Sequence, residues 1–192
     1  MILSSFVKTA LVATLGFVVI GRASLLPLCA ELSVEVGGAP MLPSRSILEN
    51  LANSKDHTTW LSAVEATDLV ETLQGEGPLT LFAPVNKAFD KLPKGTLEAW
   101  FLPENKPVLS AVLTYHMIQG KIAVADFIAA IEKGNGSADY QTMEGETLTV
   151  RHDGRKLEII DAKGNKSLVT LADVPQKNGV IHVIDAVLSP KG

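Results

Sequence analysis

Between residues 46 and 190 the apolar residues change their spacing once, and that change bounds what the chain can fold into. Up to Lys133 they recur mostly with helical spacing. Ile47, Leu48 and Leu51 share a face behind Ser46, and Trp60, Leu61, Val64, Leu69, Val70 and Leu73 form a stripe over 57–73. Helical patterning returns over 96–102 and 106–114. It returns again over 124–133, where Phe127, Ile128 and Ile131 share one face. Two short runs interrupt it, Leu79 to Ala83 and Tyr115 to Ile118, and both read as strands. After the loop Gly134 to Ser137 the period becomes two. Leu148 and Val150, Leu157 and Ile159, 168–174 and 180–188 read as strands, with turns at Asp153-Gly154 and Lys163-Gly164-Asn165. Helices followed by a strand-rich half predict an α+β domain with a largely antiparallel sheet.

The ends of the chain read differently. Residues 1–30 hold no acid and two bases, Lys8 and Arg22, around an apolar run from Thr9 to Gly21. A spanning helix needs about 20 apolar residues. The shorter run predicts a secretory signal peptide over 1–30, with an uncleaved anchor as the alternative. Cleavage after Ala23 or after Ala30 fits, and Cys29 raises a lipidated N-terminus. Residues 31–43, with Gly37-Gly38-Ala39-Pro40 and Pro43, read as a linker before a domain over 44–190. The 192 residues carry a net charge of −4, and loss of Lys8 and Arg22 would take it to −6, which argues against nucleic acid. One cysteine excludes a disulfide framework and any cysteine-rich zinc site.

No nucleophile elbow, phosphate-binding loop or dinucleotide fingerprint is present. His57, His116, His152 and His182 lie too far apart for a local metal site, and Asp161 to Asn165 lacks the closing Glu of a calcium loop, so it reads as a turn. His182, within Val180 to Ile184, is expected to be a neutral core residue on a central strand. Asp185, three along, would face the other way. His116 would bridge backbone groups or be offered to a partner. His152 is expected in solvent. No cofactor, metal or catalytic residue is predicted, and the chain reads as a non-enzyme.

Three segments resemble the fasciclin domain family: Leu79 to Pro93 with its Ala83-Pro84, Asn86 and Ala88-Phe89, Leu113 to Ile118 with Tyr115-His116, and Asn178 to Pro190. The resemblance covers about 44–190. It implies a wedge of largely antiparallel strands packed with a cluster of N-terminal and central helices. The helix and glycine loop over 124–140 look longer than the family's usual connection. The family is associated with cell adhesion and extracellular-matrix binding. In animal members the Tyr-His motif and an Asp-Ile pair before the last motif are implicated in partner binding. Residue by residue these fall on Tyr115 and His116, and on Asp173 and Val174.

Two functions are therefore expected. The first is a secreted, periplasmic or cell-surface adhesion module for matrix, a cell-surface protein or a polysaccharide, without a membrane span once the signal is removed. Replacing Asp173 with Ala would then weaken attachment at nearly unchanged melting temperature. The second is a carrier or sensor of an apolar small molecule, lipid or carotenoid-like, in a groove walled by Trp60, Trp100 and the face of Phe127, Ile128 and Ile131.

Overall fold

The computed structural model describes residues 33–154 and 156–191. The signal peptide expected over 1–30 lies outside the described residues. No described helix is long and apolar enough to cross a membrane.

Residues 34–41, expected within a linker, form a hairpin instead. β1 (Val34–Val36) pairs antiparallel with β2 (Ala39–Met41) through Gly37-Gly38, both at positive φ. A two-residue Gly-Gly turn is a hairpin signal when flanked by alternating residues, and Val34, Val36 and Met41 supply them. Met41 is fully buried, so the hairpin belongs to the core. The helical cluster follows as α1 (Ile47–Leu51), α2 (Thr58–Glu65) and α3 (Val70–Gln74). Residues 57–73 are thus two helices rather than one. Thr67 ends the first by donating its hydroxyl to Val64 O at 2.9 Å, a local bond that competes with helix continuation.

The main sheet begins with β3 (Leu79–Pro84). Then come α4 (Asn86–Phe89), α5 (Thr96–Trp100), α6 (Lys106–Tyr115), β4 (Met117–Gln119) and α7 (Val124–Lys133). β5 (Ser137–Gln141), β6 (Thr147–Asp153), β7 (Lys156–Ile160), β8 (Lys166–Gln176) and β9 (Gly179–Ile184) complete it. The strand order is β4-β3-β9-β8-β7-β6-β5, antiparallel except where β3 and β9 run parallel. β5, expected within a glycine loop, alternates only Ala138 and Tyr140 with polar residues, a two-position signal too short to stand out from the loop before it. Tyr115 closes α6 rather than opening β4.

β3 and β9 are buried on both faces, which explains their continuous apolar runs. Leu81, Ala83, Ile181 and Val183 meet the helical cluster with Trp60, Leu109 and Leu113. Phe82 and Ile184 face a second core with Tyr115, Phe127, Leu148, Val150 and Ile159. The sheet curls around that second core until its ends approach, where Met143 N–H donates to Met117 O at 2.8 Å.

Candidate functional site

Most of the residues singled out in the sequence lie in the interior, where Tyr115, His116 and His182 tie distant segments to the sheet. Tyr115 and His116 are both fully buried. The Tyr115 hydroxyl donates to Thr147 O at 2.9 Å and accepts from Ala162 N–H at 2.9 Å, joining the start of β6 to the end of β7. Burial, only partly opposed by the Ala162 N–H, pushes its pKa up to about 12. His116 Nδ1 donates to Val112 O at 2.7 Å, while Nε2 accepts from Leu188 N–H at 3.0 Å. That pattern requires the neutral ring, and burial lowers its pKa to about 4. The indole of Trp60 packs edge-on against it, with ring centroids 4.9 Å apart.

The second histidine works in the same way. His182 on β9 accepts from Asp173 N–H at Nδ1 (3.2 Å) and donates from Nε2 to Ile122 O (2.9 Å), so it holds the approach to α7 against β8. Burial lowers its pKa too. Both ring nitrogens of His116 and His182 are therefore engaged, and neither ring has a lone pair free to accept a proton from a substrate. Asp185 does not reach His182. Its carboxylate accepts from Leu168 N–H at 2.8 Å and pairs with Lys91 at 3.0 Å.

Asp173 is exposed, in an irregular stretch of β8 at φ 55°. Its Oδ1 accepts from Val124 N–H at 2.9 Å and so caps α7 from across the sheet. Val174 points the other way and is fully buried among the helices. The expectation that Tyr115, His116 and Val174 contact a partner is corrected here, because none of the three reaches the surface. Only Asp173 does. The expected effect of Asp173→Ala also changes: the substitution removes a cap and places a Cβ-bearing, non-polar residue in the left-handed region, so it costs stability.

The expected groove is corrected as well. Trp60 and Phe127 are fully buried and Ile131 nearly so; Ile128 and Trp100 are half-buried, and Trp100 lines an open groove that Ile128 does not. Among the described residues no group of three His, Cys, Asp or Glu could hold a metal ion. Asp161 is a turn residue, accepting from Lys163 N–H, Asn165 N–H and Ser189 N–H. His152 is exposed.

Two motif residues, Asn86 and Asn178, hold segments far from them in the chain. Asn86 does not cap its own helix. It accepts from Thr59 N–H at 3.0 Å and donates to Lys55 O at 2.8 Å, so it caps α2, whose N-terminal His57 provides no side-chain cap. Asn178 accepts from Ile47 N–H and donates to Leu73 O and Gly75 O, clamping the start of α1 to the end of α3. The available signal in the sequence was the Asn178-Gly179 pair directly before the apolar run Val180 to Ile184.

Fold and interior together define a class: an α+β module in which the chemically capable side chains of the interior hold strands to helices. Residues 55–190 match the model of the fasciclin domain, and the chain belongs to that family. It is 42% identical over 160 residues to Protein sll1483 of Synechocystis sp., covering 83% of this chain and 82% of that one. Human periostin is 33% identical over 145 residues, 76% of this chain but 16% of periostin. A solved FAS1 domain pair from the insect cell adhesion molecule fasciclin I superposes with a TM-score of 0.68 at 19% identity, over 81% of this chain and 57% of that one.

Proposed function

We propose that the chain is an exported, non-catalytic interaction module that attaches to extracellular matrix, a cell-surface protein or a polysaccharide, with Asp173 as its contact residue. The observation that carries this reading is the presentation of Asp173. Its N–H is held by His182 and its Oδ1 by Val124, so the carboxylate is fixed at the surface rather than free to rotate. A side chain already ordered loses less entropy when a partner's cation or donor meets it. Val124, half-buried beside it, takes the place of Val174 as the aliphatic neighbour. The family's association with adhesion supports the same reading.

Asp173→Asn is the appropriate variant. It keeps an oxygen acceptor for Val124 and tolerates the left-handed backbone, but removes the charge. Attachment to cells or matrix of the source organism is expected to fall at least about tenfold, a loss on the order of 1.4 kcal/mol. The melting temperature should stay within about 2 °C. Undiminished attachment would remove Asp173 from the site. Failure of the unaltered protein to attach to any such surface would remove the adhesion reading itself.

A further inference from the structure

Three segments far apart in the chain meet around a groove of about 530 Å³: the α4–α5 connection with α5, the turn between β7 and β8, and the residues after β9. The first brings Lys91 and the second Lys163 and Lys166, and among the described residues no acid lines the groove. That reverses the balance of the whole chain, which holds 21 acids against 17 bases. At about 0.1 M salt the Debye length is about 10 Å, so an anion entering the groove senses these lysines above the acids elsewhere.

The three ammonium groups differ in how they are held. Lys163 is exposed and takes part in none of the ion pairs of the described residues. Lys91 donates to Asp185 at 3.0 Å, and the Leu168 N–H fixes that carboxylate in turn. Lys166 pairs with the buried Glu158 at 3.5 Å. Neither carboxylate lines the groove. An ammonium carries three donors, so a pair that uses one steadies the head and leaves two for a ligand. Donors already ordered lose less entropy on binding.

The rest of the lining narrows the ligand. Half-buried Trp100 lines the groove, and Thr96, Asn165 and Ser189 add hydroxyl and amide groups. An indole plane packs against the C–H face of a sugar ring, while hydroxyl and amide groups suit its hydroxyls. Ammonium groups answer carboxylates or sulfates carried on such rings. An acidic peptide would use the lysines without needing the indole. Trp100, Lys163 and Ser189 also line the adjoining groove of Pro107 and Val108, where Glu144 bounds the stretch that suits an anion.

We propose that the lysine-lined groove binds an acidic polysaccharide, with Lys91, Lys163 and Lys166 meeting its carboxylate or sulfate groups and Trp100 packing against one of its rings. The site is separate from Asp173, which lies seven residues beyond Lys166 on β8. It does not rest on the adhesion reading, because a soluble polysaccharide reports on it whether or not the protein attaches to a surface.

The test is calorimetric titration of the full chain, purified from its host, with galacturonic acid oligomers, dextran sulfate, neutral dextran and polyglutamate. At least one of the two acidic polysaccharides is expected to bind with a Kd on the order of 100 µM at about 0.1 M salt, and neutral dextran far more weakly. Whichever binds more tightly identifies carboxylate or sulfate as the recognised group. Lys163→Gln with Lys166→Gln should raise that Kd at least about tenfold. The melting temperature should stay within about 2 °C, since Glu158 keeps Arg151 as a partner. Trp100→Leu keeps an apolar contact with the core and should weaken the polysaccharide at least about fivefold, as the lost ring contact predicts. Asp173→Asn should leave the Kd unchanged. Absence of binding to both acidic polysaccharides overturns the proposal. So does polyglutamate bound as tightly, which would make the groove a site for acidic protein. An equal loss in Lys55→Gln with Lys121→Gln, two exposed lysines outside the groove, would reduce the binding to unspecific charge attraction and overturn it as well.

Discussion

At the residue scale, the Tyr-His pair is better understood by what its atoms bond than by what it exposes. The Tyr115 hydroxyl satisfies a carbonyl of β6 and an amide of the turn after β7, while His116 satisfies Val112 O and Leu188 N–H. Tyr115→Phe keeps the ring and strands both backbone groups. The expected cost is about 1–3 kcal/mol in urea unfolding at neutral pH, with attachment per folded molecule unchanged. A variant with wild-type stability and lost attachment would instead return Tyr115 to the binding surface. Asp173 separates into two effects in the same way. Asp173→Ala should destabilise by about 1–3 kcal/mol through loss of the cap and left-handed strain, whereas Asp173→Asn should be nearly neutral.

At the element scale, the parallel pair β3 and β9 is the join between the helical and strand-rich halves, and it depends on one close approach. A Cβ on Gly179 would lie 1.9 Å from Leu79 O, a backbone atom that cannot move aside without parting the strands. Gly179→Ala is therefore expected to cost about 3 kcal/mol or more, visible as loss of soluble folded protein or a much lower urea midpoint. α2 offers a milder case. Its N-terminus is capped from Asn86 in α4, 27 residues along the chain, so Asn86→Ala should lose about 0.5–2 kcal/mol although α4 itself stays intact. Hydrogen exchange should show that loss in the first turn of α2, not in α4.

For the whole molecule, the three buried histidines set how stability depends on pH. Burial lowers the pKa of His57, His116 and His182 below the ordinary 6.5, and for His116 to about 4. Between those values the unfolded chain binds protons that the folded chain refuses, so stability is full above about pH 6.5 and falls as pH drops toward 4. His116 alone accounts for a loss on the order of 3 kcal/mol across that window. Asp185 is also lowered. Burial pushes it up, but the Leu168 N–H and Lys91 outweigh this, and its contribution is lost only at still lower pH. Urea midpoints from pH 7.5 to 4 should therefore decline monotonically. A flat profile would mean that the rings titrate in the fold as they do in the unfolded chain, against the neutral-ring hydrogen bonds of His116 and His182.

The periodicities alone determined the class, the buried strands at Leu79 and Val180, the face of α7 and the core place of His182, because each depends on residues near one another in the chain. The motif triad also marked the family. What the tertiary structure alone decided were the long-range partners. Gly37-Gly38 became a hairpin turn once Met41 found the core, and Asn86 capped a helix other than its own. Tyr115 and His116 turned inward because the end of α6 is covered by the sheet, while on β8 Val174 turned inward and Asp173 stayed out. Local spacing fixes which residues share a face. Whether that face is covered depends on segments tens of residues away, and their arrival is a property of packing that no local pattern encodes.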